Sequence, residues 1–175
     1  MTMKFLPPNA LAPDFESTLS LLTACHDKVR HFAALSLTLA THVESRGADS
    51  EAREAASNIL RYFDVAAPLH HADEEEDLFP ALRALGEPGL DSAMAELEAE
   101  HLSLAGLWQS VRRWLTAVIQ GEAAPRPTEL EGFARLYPAH ADREEAEVYG
   151  AAQRLTRAEL DGIDTRMRQR RGAKS

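Results

Sequence analysis

The chain has 175 residues, 45% of them hydrophobic, and a formal net charge of −9. This length suffices for one domain with a sizeable core, and the negative charge argues against a general binder of nucleic acid or anionic membranes. The single cysteine, Cys25, excludes an intramolecular disulfide and fits a reducing compartment. Because long stretches are rich in Ala, Leu, Glu and Arg, we expect an all-α protein. No apolar run approaches the roughly 20 residues of a membrane span, so we expect a cytoplasmic protein.

The first predicted elements are an extended arm and a long helix. Residues 1–13 are rich in proline and show no period, and Asp14 is suited to cap the helix that follows. Apolar residues recur every three or four positions in this helix, as in a helix that faces a bundle core. His26 interrupts that apolar face, and Gly47 marks the end of the helix.

Four further helices are predicted, over about 50–85, 91–121, 128–155 and 157–169. Pro68 lies inside the second helix, where it removes one backbone hydrogen bond and favours a kink. His101 interrupts the apolar face of the third helix, as His26 does in the first. A capping box of Thr156 and Glu159 begins the short fifth helix. We expect its basic end to be solvated, with docking on the acidic bundle as the alternative.

The stretch 70–80 contains the strongest signal of a site. His70 and Glu74 are four residues apart, so both point to one face of a helix, and this face also holds Phe63 and Leu78. A carboxylate without a partner in such an apolar face is strongly destabilising. We therefore expect either that the two side chains satisfy each other or that a cation lies between them.

The same pattern occurs a second time further along the chain. Pro68, His70 and Glu74 match Pro138, His140 and Glu144. The helix before each copy supplies one further histidine, His26 or His101. The chain is thus a helix pair used twice, and two such pairs packed antiparallel make a four-helix bundle with six inward side chains.

These residue types suit a metal centre. Neutral imidazoles and carboxylates are good ligands for iron, manganese or zinc, and two carboxylates from opposite helices can bridge two ions. Each ion would have two histidines and two shared carboxylate oxygens, with positions left for an oxo bridge and a small exogenous ligand. The alternative is a structural bundle whose buried His–Glu pairs form hydrogen-bonded networks. The repeated spacing on core faces favours the metal centre.

The order His, His-x-x-x-Glu, His, His-x-x-x-Glu resembles that of the hemerythrin-like family, also called the HHE cation-binding domain, over about residues 14–155. Its most specific local match is His-His-x-x-Glu-Glu-x-x-Leu-Phe-Pro at 70–80. The resemblance implies an up-down-up-down four-helix bundle, followed here by a short helix and basic tail over 156–175. It also implies a non-haem di-iron centre. The terminal ligands would be His26, His70, His101 and His140, and the bridging carboxylates Glu74 and Glu144.

The chain departs from the oxygen-carrying members of that family at two positions. Those proteins have a second histidine one turn before the third-helix ligand, where this chain has Leu97. Their fourth helix has His-x-x-x-x-Asp, where this chain has His-x-x-x-Glu. The missing nitrogen ligand opens one iron or leaves room for a substitute, for which three residues are available, His71, Glu98 and Glu100.

Four polar residues lie one or two positions away from the ligand face. We expect Glu76 and Glu145 to be solvated, because glutamate is seldom fully buried. His71 and Glu75 are either solvated as well or hydrogen-bonded to the ligands.

The resemblance implies that the di-iron centre engages dioxygen or a related small molecule, such as peroxide or nitric oxide, in binding, sensing or detoxification. The departures argue against a simple reversible oxygen carrier. The alternative function is a module that stores or hands on iron or zinc without redox chemistry. Zinc and manganese are the alternative metals.

Overall fold

The computed structural model describes residues 18–122 and 124–172, and these residues form helices and connecting turns without a β-strand. The all-α prediction is confirmed. The predicted extended arm of residues 1–13 and the cap at Asp14 lie outside the described residues. None of the described helices combines the length and the hydropathy that a bilayer span requires.

The described residues are organised in seven α-helices. These are α1 (Thr18–Arg46), α2 (Ser50–Arg61), α3 (Ala67–Asp73), α4 (Phe79–Arg83), α5 (Pro88–Gln120), α6 (Leu130–Glu147) and α7 (Arg157–Arg170). Two π-helical turns, Tyr62–Ala66 and Glu74–Leu78, join α2 to α3 and α3 to α4. A 3₁₀ segment, Tyr149–Arg154, follows α6. The second predicted helix thus corresponds to α2, α3, α4 and the two π-helical turns between them.

Several helix ends lie at the residues that the sequence marks for them. Asp49 caps α2 by accepting a hydrogen bond from a backbone N–H of the first turn at 2.9 Å. Gly47 and Gly121 follow α1 and α5 in the left-handed conformation, each with a φ of 77°, which glycine adopts without steric cost. The predicted capping box of Thr156 and Glu159 begins α7.

The second predicted helix widens at two places near its prolines. Each π-helical turn is closed by a hydrogen bond that spans five residues, and a proline lies two positions after it, Pro68 in one case and Pro80 in the other. Because proline has no N–H to donate, the backbone before it can open and take in one more residue. The extra residue rotates the side chains that follow it. The stretch 70–78 therefore buries polar residues over more of its surface than one helical face.

The two longest helices, α1 and α5, pack against the same two helices. α1 packs against α2 and α6, and α5 also packs against α2 and α6. Their buried apolar side chains form two separate clusters. The first cluster includes Leu39, Ile59, Trp108 and Phe133. The second cluster includes Leu22, Leu78, Phe79 and Met94.

Buried polar residues separate the two apolar clusters along each long helix. In α1, His26 lies between Leu22 of the second cluster and Val29 of the first. In α5, His101 lies between Leu97 of the second cluster and Leu104 of the first. The core of the protein is therefore two apolar clusters with a polar layer between them.

The basic end of α7 docks on the acidic stretch of the second predicted helix, so the expectation of a solvated end is wrong. Arg170 and Arg171 both pair with Asp73, with Nη1–Oδ1 distances of 2.5 Å and 3.0 Å. Arg166 and Arg170 both pair with Asp77. The two carboxylates are 0% and 3% exposed, and buried carboxylates of this kind require charged partners.

Candidate metal centre

The six residues that the sequence predicts as ligands are all buried: His26, His70, Glu74, His101, His140 and Glu144. They come from α1, from α3 and the π-helical turn after it, from α5 and from α6. Their side chains converge in the polar layer between the two apolar clusters. Together with His71 they form two groups of possible metal ligands.

The first group consists of His26, His70, Glu74 and Glu144, whose ligand atoms all lie within 4.8 Å of one another. The Nε2 atom of His26 is 3.0 Å from Nε2 of His70 and 3.0 Å from Oε2 of Glu144. Two imidazole nitrogens that lie next to each other and beside a buried carboxylate can both coordinate one cation when they are deprotonated.

The second group consists of His71, His101 and His140, with ligand atoms within the same 4.8 Å limit. The rings of His71 and His101 are stacked, with centroids 3.8 Å apart and planes at 11°. Oε1 of Glu144 lies 2.8 Å from Nε2 of His140 and 3.2 Å from Nε2 of His101. Glu144 therefore contacts both groups, with one oxygen directed to each.

Glu74 also lies between the two groups. Its Oε2 atom is 3.7 Å from Nε2 of His70 in the first group and 3.7 Å from Nε2 of His101 in the second. Among the described residues, no donor forms a hydrogen bond with this buried oxygen. An unsatisfied buried acceptor costs about 1–3 kcal/mol, and a bound cation would remove that cost. The residues present thus fit a bound cation, with Glu74 and Glu144 lying between the two groups.

The histidines divide into two and three, where the sequence predicted two for each ion. His71 supplies the additional imidazole and is the one of the three proposed substitutes that joins a group. Glu98 instead pairs with Arg83 at 2.8 Å, and Leu97 packs in the second apolar cluster. Neighbouring residues on a regular helix point about 100° apart, which is why sequence periodicity separated His71 from the ligand face.

Three of the histidines donate a hydrogen bond from the N–H of their outer ring nitrogen to a carboxylate. The direction is fixed because an ionised carboxylate can only accept. The Nδ1 to oxygen distances are 2.7 Å for His26 and Glu145, 2.6 Å for His101 and Glu75, and 2.8 Å for His140 and Glu100. Such contacts fix the ring orientation and direct the inner nitrogen into the layer, as in metal-binding histidines. Glu75 thus has the hydrogen-bonding role that the sequence allowed for it.

Two of these outer carboxylates are held in turn by arginines. Arg30 lies 3.0 Å from Glu145, and Arg143 forms a close ion pair with Glu100. The expectation that Glu145 is solvated is wrong. Its side chain is half-buried, forms an ion pair with Arg30 of α1 and accepts a hydrogen bond from His26. Glu100 positions His140 and is absent from both groups of possible ligands.

Burial and neighbouring charges shift the pKa values of these groups. Burial lowers the pKa of His70 to about 3 and holds the pKa of His71 well below its usual value, so both imidazoles are neutral at neutral pH. Burial and the neighbouring charge of Glu144 raise the pKa of Glu74 well above its usual value. Although burial opposes it, hydrogen bonds from three histidines hold the pKa of Glu144 well below its usual value.

Sequence reasoning missed one polar side chain in the layer, that of Tyr149. Its hydroxyl donates a hydrogen bond to Oε1 of Glu74 at 2.6 Å and lies 3.1 Å from Nε2 of His26. The internal repeat aligns Tyr149 with Phe79. The appearance of a hydroxyl in only one copy of the repeat was the available signal.

A layer of five histidines and two glutamates inside an all-helical framework is a site that could hold metal ions. The chain belongs to the hemerythrin family, since the family model of the hemerythrin HHE cation-binding domain matches residues 17–152. It is also similar to a Haemophilus influenzae protein named only as uncharacterized. That protein is 33% identical over 144 residues, which are 82% of this chain and 83% of the relative. The predicted division into 14–155 and 156–175 stays a prediction.

Proposed function

We propose that this protein holds two iron ions in a non-haem di-iron centre, and that the centre engages dioxygen or a related small ligand in the cytoplasm. His26 and His70 would hold one ion, and His71, His101 and His140 the other. Glu74 and Glu144 would be shared by both ions. Iron in this layer would supply Lewis acidity and a redox couple.

The observation that carries the proposal is the unsatisfied Oε2 atom of Glu74. It belongs to a side chain that is 0% exposed, and it faces one histidine of each group at 3.7 Å. A purely structural network would place a donor within hydrogen-bond distance of this oxygen. A position that lacks a donor but lies between two sets of lone pairs is suited to cations.

The hemerythrin-like resemblance, and not the donor set, favours iron among the possible metals. Imidazole and carboxylate together suit iron, zinc and manganese alike, and the family match supports cation binding without naming the ion. The hemerythrin-like resemblance is what favours a pair of irons. The chain's own contribution is to orient five imidazoles, to bury the shared carboxylates and to exclude water between two apolar clusters.

The helix contacts support the up-down-up-down arrangement that the proposal assumes. α2 follows α1 through a short turn and packs against it, and α6 follows α5 and packs against it. α1 also packs against α6, and α2 against α5. Short connections between packed neighbours favour antiparallel pairs.

Elemental analysis of protein purified without added metal tests the proposal, combined with ultraviolet–visible spectra under nitrogen and then in air. We expect two irons per chain and near-ultraviolet bands that change on exposure to air. Stoichiometric zinc, or iron whose absorption spectrum does not change on exposure to air, would favour the module that stores or hands on metal. A folded protein without metal would overturn the proposal.

A matched pair of histidine variants tests the three-histidine group. In His71→Ala we expect one of the two metal ions to bind at least about tenfold more weakly, the lower range for lost ligand support. His31→Ala removes an exposed histidine of α1 and should bind both ions as the wild type does. Titration of the metal-free proteins with cobalt or zinc measures both affinities. Wild-type affinity in His71→Ala would contradict the assignment of His71.

A further inference from the structure

Among the described residues, Tyr149 is the one tyrosine whose hydroxyl lies within hydrogen-bond distance of candidate ligands. It is 5% exposed and lies in the 3₁₀ segment directly after α6. Its ring is stacked on that of His26, with centroids 5.2 Å apart and planes at 12°. Its hydroxyl is within hydrogen-bond distance of both Glu74 and His26, at 2.6 Å and 3.1 Å. The phenol therefore borders the first group of ligands and has no contact with the second.

The phenol makes the two shared carboxylates unequal. Glu144 directs Oε2 to His26 and Oε1 to His140, at 3.0 Å and 2.8 Å. In Glu74, by contrast, the hydroxyl of Tyr149 engages Oε1, and only Oε2 faces the histidines. Glu74 thus has one oxygen available where Glu144 has two.

The side of the centre with fewer protein donors is the side next to Tyr149. The first group has two imidazoles and the second has three. An ion in the first group would therefore have the more open coordination, and a small ligand there would lie beside the phenol. A phenol keeps its proton at neutral pH and donates one hydrogen bond. Donation to a charged acceptor in a buried site is stronger than donation to a neutral one.

We propose that Tyr149 redirects its single hydrogen bond from Oε1 of Glu74 to a small anionic ligand when that ligand binds at the His26–His70 side of the centre. Before the ligand binds, the same bond limits Glu74 to one oxygen and so keeps the position beside the phenol open. This inference rests on the proposed metal centre and deepens it by naming the ligand class and the residue that recognises it.

The chain offers a matched control in Tyr137. This tyrosine is also 5% exposed and stacks against His71 with centroids 6.0 Å apart. Among the described contacts its hydroxyl forms no hydrogen bond with a candidate ligand. Tyr137→Phe and Tyr149→Phe therefore remove the same atom from equally buried rings, and only the second removes a donor at the first group. Because Tyr149→Phe retains the ring that stacks on His26, we expect a folded variant.

Azide binding to the metal-loaded proteins tests the inference, with the metal content of each variant measured in parallel. In Tyr149→Phe we expect the azide dissociation constant to rise about tenfold, the effect of losing one hydrogen bond to a charged group, with the metal content unchanged. Tyr137→Phe should bind azide as tightly as the wild type. An unchanged azide affinity in Tyr149→Phe, or an equal loss in Tyr137→Phe, overturns the inference.

Two further outcomes separate this inference from the proposed function. If Tyr149→Phe loses metal, the phenol acts by holding Glu74 in place, and its role as donor to the ligand is overturned. If the wild type contains no stoichiometric metal, the proposed function fails and the inference fails with it. If metal-loaded wild type and metal-loaded Tyr149→Phe bind azide equally tightly, the inference is overturned and the proposed function is not affected.

Discussion

Three of the candidate ligand histidines are each held between an inner and an outer carboxylate. The outer partners Glu75, Glu100 and Glu145 accept from Nδ1, so the Nε2 atoms point into the layer before any cation arrives. Arg30 and Arg143 hold two of these carboxylates from the protein surface. At the scale of single residues, the direction of each imidazole is therefore set by ion pairs outside the site.

The inner groups hold protons that a metal must displace. Burial and the charge of Glu144 raise the pKa of Glu74, and hydrogen bonds to Glu144 and Glu100 raise the pKa of His140 although burial opposes them. Raised pKa values mean that the metal-free protein keeps these protons to a higher pH. Since metals bind the deprotonated forms, we expect zinc loading to release protons. The apparent affinity should fall about tenfold per pH unit for each proton displaced as the pH is lowered.

Calorimetric titration in two buffers with different ionisation enthalpies counts the released protons. Glu74→Gln should release about one proton fewer, because the amide does not titrate. Glu98→Gln is the matched control, since Glu98 lies on α5 near the layer and pairs with Arg83 instead of a ligand. A zinc affinity that stays constant between about pH 6 and pH 8 would contradict the assigned protons.

At the scale of the elements, α7 holds the segment that contains three of the candidate ligands, His70, His71 and Glu74. Asp73 is 0% exposed and lies between His70 and Glu74 in the chain, and Arg170 and Arg171 are its charged partners. Burial still raises the pKa of Asp73 although the two arginines oppose the shift. α7 begins after residue 152, the last residue of the family match. The docked helix thus lies outside the residues of the family match and contacts the segment that contains these candidate ligands.

The double variant Arg170→Ala/Arg171→Ala should destabilise the metal-free protein by about 3–5 kcal/mol, the cost of leaving a buried charge without its partner. Protonation of Asp73 limits this loss. Because the raised folded-state pKa favours the neutral form, the variant should be most stable at low pH and lose stability as the pH rises above the unfolded value, about 3.9, through the folded-state pKa. Urea unfolding at pH 5 and pH 8 measures both effects.

An exposed arginine on the same helix provides the control for α7. Arg157 is 86% exposed and pairs with Asp161 within α7, so Arg157→Ala should change stability by less than about 0.5 kcal/mol. If the double variant unfolds at the same urea concentration as Arg157→Ala, the contacts of α7 with Asp73 do not stabilise the fold.

For the whole molecule, the sequence predicted the helices and the six residues that line the layer, because both follow from local periodicity. His26 and His101 interrupt apolar faces, and a period of 3.6 residues is enough to place them inside. The choice of His71 over the other two proposed substitutes did not follow from the sequence, since the π-helical turns on either side of α3 break that period. The contacts of Tyr149 and α7 join residues far apart in the chain. Their partners depend on packing, which one chain's periodicity does not encode.

The two apolar clusters bury hydrophobic side chains on both sides of the polar layer. Each cluster draws on several helices and is fully buried, whereas the layer contains a carboxylate oxygen without a donor. The layer is then a cost to the metal-free fold, as buried charges without full pairing often are. A functional metal site and a structural hydrogen-bonded network predict opposite effects when that carboxylate is removed.

Glu74→Leu separates the two interpretations. We expect the variant to lose metal binding and, without metal, to be more stable than the wild type by about 1–3 kcal/mol, because an apolar side chain replaces an unsatisfied buried acid. The change also leaves Tyr149 with a partner in His26 at 3.1 Å. Glu54→Leu, on the exposed side of α2, controls for the general effect of adding a leucine. Urea unfolding of the chelator-treated proteins gives the comparison. A less stable Glu74→Leu would mean that Glu74 holds the bundle together through its hydrogen bonds, as the structural alternative requires.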